Sequence, residues 1–192
     1  KTMIIEEHDI PDVHTIEFEP HEDHRGFFMR VYDDNTFEDA GLHQDWVQEN
    51  HSYTKSKGTI RGLHFQFPPD AETKLVRVVR GKILDVFVDL RQDSPTFGEW
   101  GSVELSASNK RMAYVPKGFA HGFCTLTDHC DVVYKVDSYY APDNEGAIAW
   151  NDPDLDIDWP VDDPIISEKD DAAGSFEAFV ENYEALSPED HQ

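Results

Sequence analysis

Short β-rich segments follow one another along this chain with turn signals between them, and that rhythm limits the fold more than any other feature. The segments are 15–19, 26–32, 59–67, 74–80, 83–90, 102–106, 111–115, 122–127 and 131–140. Gly81-Lys82, the run 94–98 and Pro116-Lys117-Gly118 separate several of them. Strands this short, at this spacing, predict an all-β antiparallel sandwich or barrel. A length of 192 residues fits one domain over 1–192 with one sizeable core. In 83–90, Leu84, Val86, Val88 and Leu90 share one face, and Ile83, Asp85, Phe87 and Asp89 share the other. The two carboxylates line a wet cavity or lie on an outer surface; the pattern leaves both open. Helix is expected mainly near the end, over about 168–187. There Phe176, Phe179, Val180, Tyr183 and Leu186 keep helical spacing behind Ser175, a candidate N-cap. That stripe is expected to pack on the barrel, and 187–192 to fray.

Charge narrows the partners. The chain has 40 acidic and 16 basic residues, a net charge of −24. Such a surface repels phosphodiester backbones and argues against a nucleic-acid partner. An anionic small molecule would need a site that concentrates the few arginines. High-salt adaptation is one reading of this charge, and a plainly acidic protein is the other. Cys124 and Cys130 form no CxxC pair and no disulfide framework, so two reduced thiols are expected. No apolar run is long enough to span a bilayer, and the first residues lack the apolar stretch of a signal peptide. No membrane role and a cytoplasmic location are expected.

Two motifs carry chemistry. Pro116-Lys117-Gly118-Phe119-Ala120-His121 resembles the second cupin motif, and Gly62-Leu63-His64-Phe65-Gln66 resembles the start of the first. A metal cupin places a second histidine where Gln66 stands and an acidic ligand near Lys74. A divalent metal needs three or four converging donors, and an ammonium beside it is unfavourable. The site is therefore expected to hold no metal and no other cofactor, leaving His64 and His121 for acid–base or binding work. Arg61 and His64 have opposite strand parity; Gly62 between them could mark a bulge that turns both inward.

The resemblance then extends well beyond these motifs. The runs 58–66 and 74–81, Arg25-Gly26-Phe27-Phe28, Gln48-Glu49-Asn50, the run 115–123, Tyr134-Lys135, Tyr139-Tyr140, Trp150-Asn151-Asp152-Pro153 and Ser167-Glu168-Lys169-Asp170 are similar to the dTDP-4-dehydrorhamnose 3,5-epimerases, in order, over residues 1–172. The resemblance implies a jelly-roll, cupin-like barrel and a homodimer whose N-terminal strands help build the interface. It implies a dTDP-linked 4-keto-6-deoxyhexose as substrate. His64 would be the base, Asp170 its partner, Lys74 the enolate stabiliser and Tyr134 the opposite proton donor. Arg61, Gln66 and His121 would line the sugar pocket, and Arg25, Gln48 and Asn50 would lie around the nucleotide. Each has a plainer reading: Ser167 and Asp170 as a capping box, Tyr134 as packing, Lys74 as a strand-edge charge. Arg30 stands where the family usually has an acidic residue, a charge reversal that bears on base recognition. The alternatives are a mono-epimerase, a 4-keto-sugar isomerase, a metal cupin and a non-catalytic sugar-binding barrel.

Overall fold

The computed structural model describes residues 3–182. Thirteen strands form in chain order: β1 (Met3–Glu7), β2 (His14–Phe18), β3 (His21–Asp23), β4 (Gly26–Phe28), β5 (Gln48–Thr54), β6 (Ile60–Gln66), β7 (Lys74–Arg80), β8 (Lys82–Asp89), β9 (Trp100–Ser106), β10 (Arg111–Val115), β11 (Phe119–Thr125), β12 (Cys130–Val136) and β13 (Glu145–Ala147). Three short helices accompany them: α1 (Asp34–Asp39), α2 (Glu168–Asp171) and α3 (Phe176–Asn182). One sheet runs β1-β2-β10-β7-β12-β5 and the other β13-β6-β11-β8-β9, with β3–β4 as a separate hairpin. Every strand pairing is antiparallel, so the expected all-β sandwich with a short helical C-terminal region is what forms.

Three apolar layers explain why the strands read as they do. Val76, Val132 and Val115 from the first sheet meet Ile83, Phe87, Leu105 and Phe119 from the second, and this is the interior. Leu63, Val86, Val88, Leu90 and Ala120 point out of the second sheet and are covered by Ile148, Leu155, Trp159 and Phe179. Ile16, Leu75, Met112 and Tyr114 point out of the first and are covered by Phe37 of α1 and Leu42. Both faces of β8 are therefore buried, which is why apolar residues stand on both, Ile83 and Phe87 on one and Leu84, Val86 and Val88 on the other. Asp85 and Asp89 lie on its interior face, each fully buried, so they are not surface residues.

The C-terminal segment reaches the second sheet through Asp152, which accepts from the backbone N–H groups of Asp154, Leu155 and Phe176. Ser175 Oγ accepts from Ala178 N, so the expected cap forms. Phe176 and Phe179 pack inward as expected, but Val180 is 46% exposed. Tyr183, Leu186 and the tail lie outside the described residues. Within the described residues, the expected C-terminal helical region consists of α2 and α3.

Two expected strands shorten. The second ends at Phe28, where its partner β3 ends, and the last ends at Val136, beyond which neither β5 nor β7 offers a pairing edge. Among the elements not anticipated, β5 matters most. Its sequence, Gln-Glu-Asn-His-Ser-Tyr-Thr, has no apolar alternation, because an edge strand with one wet face needs none. It nevertheless pairs with β12 along its whole length. Both cysteines are free and buried, and burial, with a smaller push from Cys130, raises the Cys124 thiol to about 11.

The loop after β8 is fixed by charge. Asp89 accepts from Arg91 N and Nε, Ser94 Oγ and Thr96 Oγ1, while Arg91 also reaches Asp12 and the Pro11 carbonyl. Burial disfavours the Asp89 carboxylate, but its donors outweigh burial and hold its pKa below the usual value. A depressed pKa gives stability that is full above the unfolded value, about 3.9, and is lost as pH falls through the folded one. Asp89→Asn is expected to cost about 3 kcal/mol at neutral pH, since it removes the buried charge that Arg91, Ser94 and Thr96 all donate to. The gap between wild type and variant should narrow below about pH 4. Thermal melts of both proteins across pH check this; a gap that stays constant with pH would reject the assignment.

Candidate active site

The site begins with a misfit between two strands. Along β6 and β11, Arg61 faces Phe123 and His64 faces His121, so β6 carries one extra residue between these pairs. Gly62 occupies the bulge at φ +118°, where a Cβ would come within 2.7 Å of both Gly122 Cα and the His121 carbonyl oxygen. Only glycine fits both the angle and the space. The bulge resets strand parity, and Arg61 and His64 line one cavity, as expected from Gly62.

Asp170 locks this arrangement. His64 donates from Nε2 to Asp170 Oδ1 at 2.5 Å, and Gly62 N donates to Asp170 Oδ2 at 3.1 Å. The Asp170 backbone N–H in turn donates to Ser167 Oγ, the N-cap of α2. The two readings of the Ser167–Asp170 run thus coexist: Ser167 caps the helix, while the Asp170 side chain leaves it for the histidine. With Nε2 carrying the shared proton, His64 Nδ1 keeps its lone pair.

A second pair lies across the strand register. His121 donates from Nε2 to Asp85 Oδ1 at 2.7 Å, and Asp85 is wholly buried. Asp85 was missing from the expected site although the alternation of 83–90 had placed it on one of two candidate faces. Lys74 is buried, so it is no strand-edge charge; its Nζ lies 5.8 Å from the Tyr134 ring centroid and 3.6 Å from Glu72 Oε1. Arg61, His64, Lys74, His121, Tyr134 and Asp170 line one chamber of about 280 Å³. Gln48, Asn50, Gln66 and Glu72 line an adjoining space of about 320 Å³, which shares His64, Lys74 and Tyr134.

Several of these residues are already committed to backbone. Gln48 Oε1 accepts from Tyr140 N. Gln66 donates to the Asp70 and Tyr139 carbonyls and accepts from Ala141 N, so it anchors the 139–141 loop as well as lining the space. A cupin-type metal would need a donor at Gln66, whose amide is spent, beside the Lys74 ammonium; the residues do not fit one. Arg61 is aimed by Thr54 Oγ1 and the Tyr53 carbonyl. Lys169, not anticipated, lines the same chamber and donates to Glu145 Oε1 at 3.0 Å, which raises its pKa. Its only signal in the sequence was its place beside Asp170. Arg25 is the exception: it sits on the exposed β3–β4 hairpin, paired with Asp23, and lines a different concavity. Arg30 is exposed just beyond that hairpin.

A family model described as dTDP-4-dehydrorhamnose 3,5-epimerase matches residues 7–178. A dTDP-4-dehydrorhamnose 3,5-epimerase from Shigella flexneri is 48% identical over 163 residues, covering 84% of this chain and 90% of the relative. The crystal structure of such an enzyme from Bacillus anthracis, with TDP and PPi bound, superposes with a TM-score of 0.89 at 49% identity, covering 91% of this chain and 99% of that one. A Legionella pneumophila epimerase in complex with dTDP-4-keto-L-rhamnose gives 0.86 at 42% identity, covering 91% and 93%. The chain belongs to the dTDP-4-dehydrorhamnose 3,5-epimerase family.

Proposed function

We propose that this protein inverts carbons 3 and 5 of a dTDP-linked 4-keto-6-deoxyhexose by proton transfer without a metal. The observation that carries the reading is the His64–Asp170 pair, sharing one chamber with Lys74 and Tyr134. A ketone at carbon 4 acidifies the protons on both neighbouring carbons. His64 Nδ1 takes such a proton, and Asp170 stabilises the imidazolium that results. The Lys74 ammonium stabilises the enolate oxygen. The Tyr134 hydroxyl returns a proton from the opposite face, which makes the exchange an inversion. His121, held by Asp85, presents its remaining ring nitrogen to the sugar. Arg61 and Lys169 supply positive charge for the diphosphate, which a chain of net charge −24 would otherwise repel. Gln48 and Asn50 lie on the nucleotide side.

The enzyme works as a homodimer in this reading, with the N-terminal strands at the interface. The β3–β4 hairpin exposes Phe27 and Phe28 at 58% and 67%, an apolar pair suited to burial against a second copy. Arg25, remote from its own cavity, would then serve the nucleotide in the partner's. No helix among the described residues is long and apolar enough to cross a membrane. The free thiols suit a reducing compartment, and we place the enzyme in the cytoplasm.

Several experiments test the reading. Proton NMR in deuterated water, with dTDP-4-keto-6-deoxyglucose and excess chelator, should show exchange and inversion at carbons 3 and 5. His64→Asn should lower that turnover about 10²–10⁴-fold. Asp170→Asn should lower turnover with little change in KM, because an amide N–H facing Nε2 demands the wrong tautomer. Unchanged turnover in Asp170→Asn would leave that residue only a structural role.

Tyr134→Phe removes the hydroxyl and keeps the ring. Substrate should then take up deuterium with retained configuration while epimerised product falls sharply. Inversion at the wild-type rate would move the donor role elsewhere; loss of exchange together with inversion would place Tyr134 in the abstraction or binding step.

Sedimentation should give twice the monomer mass, and Arg25→Ala should raise KM. Mixing Arg25→Ala with His64→Asn subunits should restore activity, since one site then receives both side chains intact. No gain on mixing would confine Arg25 to its own subunit or remove it from the site.

A further inference from the structure

Glu72 is a carboxylate inside the cavity that the proposed chemistry does not use. It lies two residues before Lys74, and the two side chains are 15% and 11% exposed. It lines both the nucleotide-side space and a narrow inner recess beside His121 and Pro116. Its single partner is the Lys74 ammonium at 3.6 Å, and it accepts no hydrogen bond among the described residues. Holding a carboxylate largely out of water is costly unless its lone pairs find donors. Lys74 alone, at that distance, leaves most of that acceptor capacity unused.

The substrate class can supply the missing donor. In a 4-keto-6-deoxyhexose the two carbons beside the ketone differ: carbon 3 carries a hydroxyl, and carbon 5 carries a methyl and the ring oxygen. The oxygens of an α-hydroxyketone sit about a hydrogen-bond length apart. A ketone oxygen on the Lys74 ammonium therefore brings its neighbouring hydroxyl to a carboxylate that touches the same ammonium. Carbon 5 offers that carboxylate no donor at all.

We propose that Glu72 accepts a hydrogen bond from the hydroxyl on carbon 3 and so selects 3-hydroxy substrates and orients carbon 3 for exchange. This rests on the epimerase reading above. No proton is transferred to Glu72; abstraction stays with His64 and return with Tyr134.

The test measures deuterium uptake at carbons 3 and 5 separately, by proton NMR, in wild type, Glu72→Gln and Glu72→Leu. Uptake at carbon 3 should fall about 10–100-fold in Glu72→Leu, the usual worth of a hydrogen bond to a charged group, and less in Glu72→Gln. Uptake at carbon 5 should stay near wild type, which also reports that the variants fold. With a dTDP-linked 4-keto-3,6-dideoxyhexose, wild type and variants should exchange carbon 5 alike. A parallel fall at both carbons would mean that Glu72 acts only through Lys74, and unchanged uptake at both would deny it any role; either result overturns the inference. Wild-type protein that exchanged neither carbon would overturn the epimerase reading itself, and this inference with it.

Discussion

The carboxylate of Asp170 ties together elements that nothing else in the sequence joins. One oxygen takes the N–H of Gly62 in the β6 bulge, and the other takes the ring N–H of His64 two residues on. The same residue's backbone is capped by Ser167 at the start of a four-residue helix, far too short to stand alone. A single buried group thus fixes the bulge, orients the histidine and docks the C-terminal segment. The bulge is possible because Gly62 and Gly122 let two backbones approach to a distance no side chain would allow. Remove either the glycine or the carboxylate, and Arg61 and His64 no longer have a reason to face the same space.

Electrostatics within the cavity run against the surface. A chain of net charge −24 gathers Arg61, Lys74 and Lys169 around one chamber. The interior charges come in pairs: His64 with Asp170, His121 with Asp85, Lys74 with Glu72. Pairing limits the desolvation cost of burying them. It also fixes one ring nitrogen of each histidine and leaves the other for a ligand. The acidic exterior and the cationic chamber together make the cavity the natural place for an anion, since elsewhere on the surface it is repelled.

The sandwich supplies the rigidity this demands. The catalytic candidates stand mostly on central strands, β6, β7, β11 and β12, each paired on both sides. Apolar layers cover the outer faces of both sheets, through α1 on one and the chain after β13 on the other. Side chains projecting from such strands have little freedom left to lose on binding. The residues proposed to serve the nucleotide stand on less central elements. Gln48 and Asn50 lie on β5, an edge strand, and Arg25 on an exposed hairpin.

Local periodicity and motif spacing were enough to read the all-β class, most strands and a site around His64 and His121, while Lys74, Tyr134 and Asp170 joined that set through the family resemblance. Those signals survive in sequence because alternation and glycine placement are local consequences of strand geometry. The edge strand β5 escaped notice because a wet edge imposes no apolar pattern, and α1 because six residues hold too little periodicity. Pairings between distant residues were invisible for a different reason. That Asp85 turns inward to His121, that Glu72 meets Lys74, and that Lys169 joins the chamber depend on which face of a strand or helix meets which. The face of 83–90 was undecidable from its own residues, since both faces are apolar enough to be buried; the two sheets and their covering layers decided it. The sequence alone determined which chemical groups the protein has and the period at which they recur, and tertiary packing alone decided which of them share a cavity, because burial and strand register are properties of the assembled sheets.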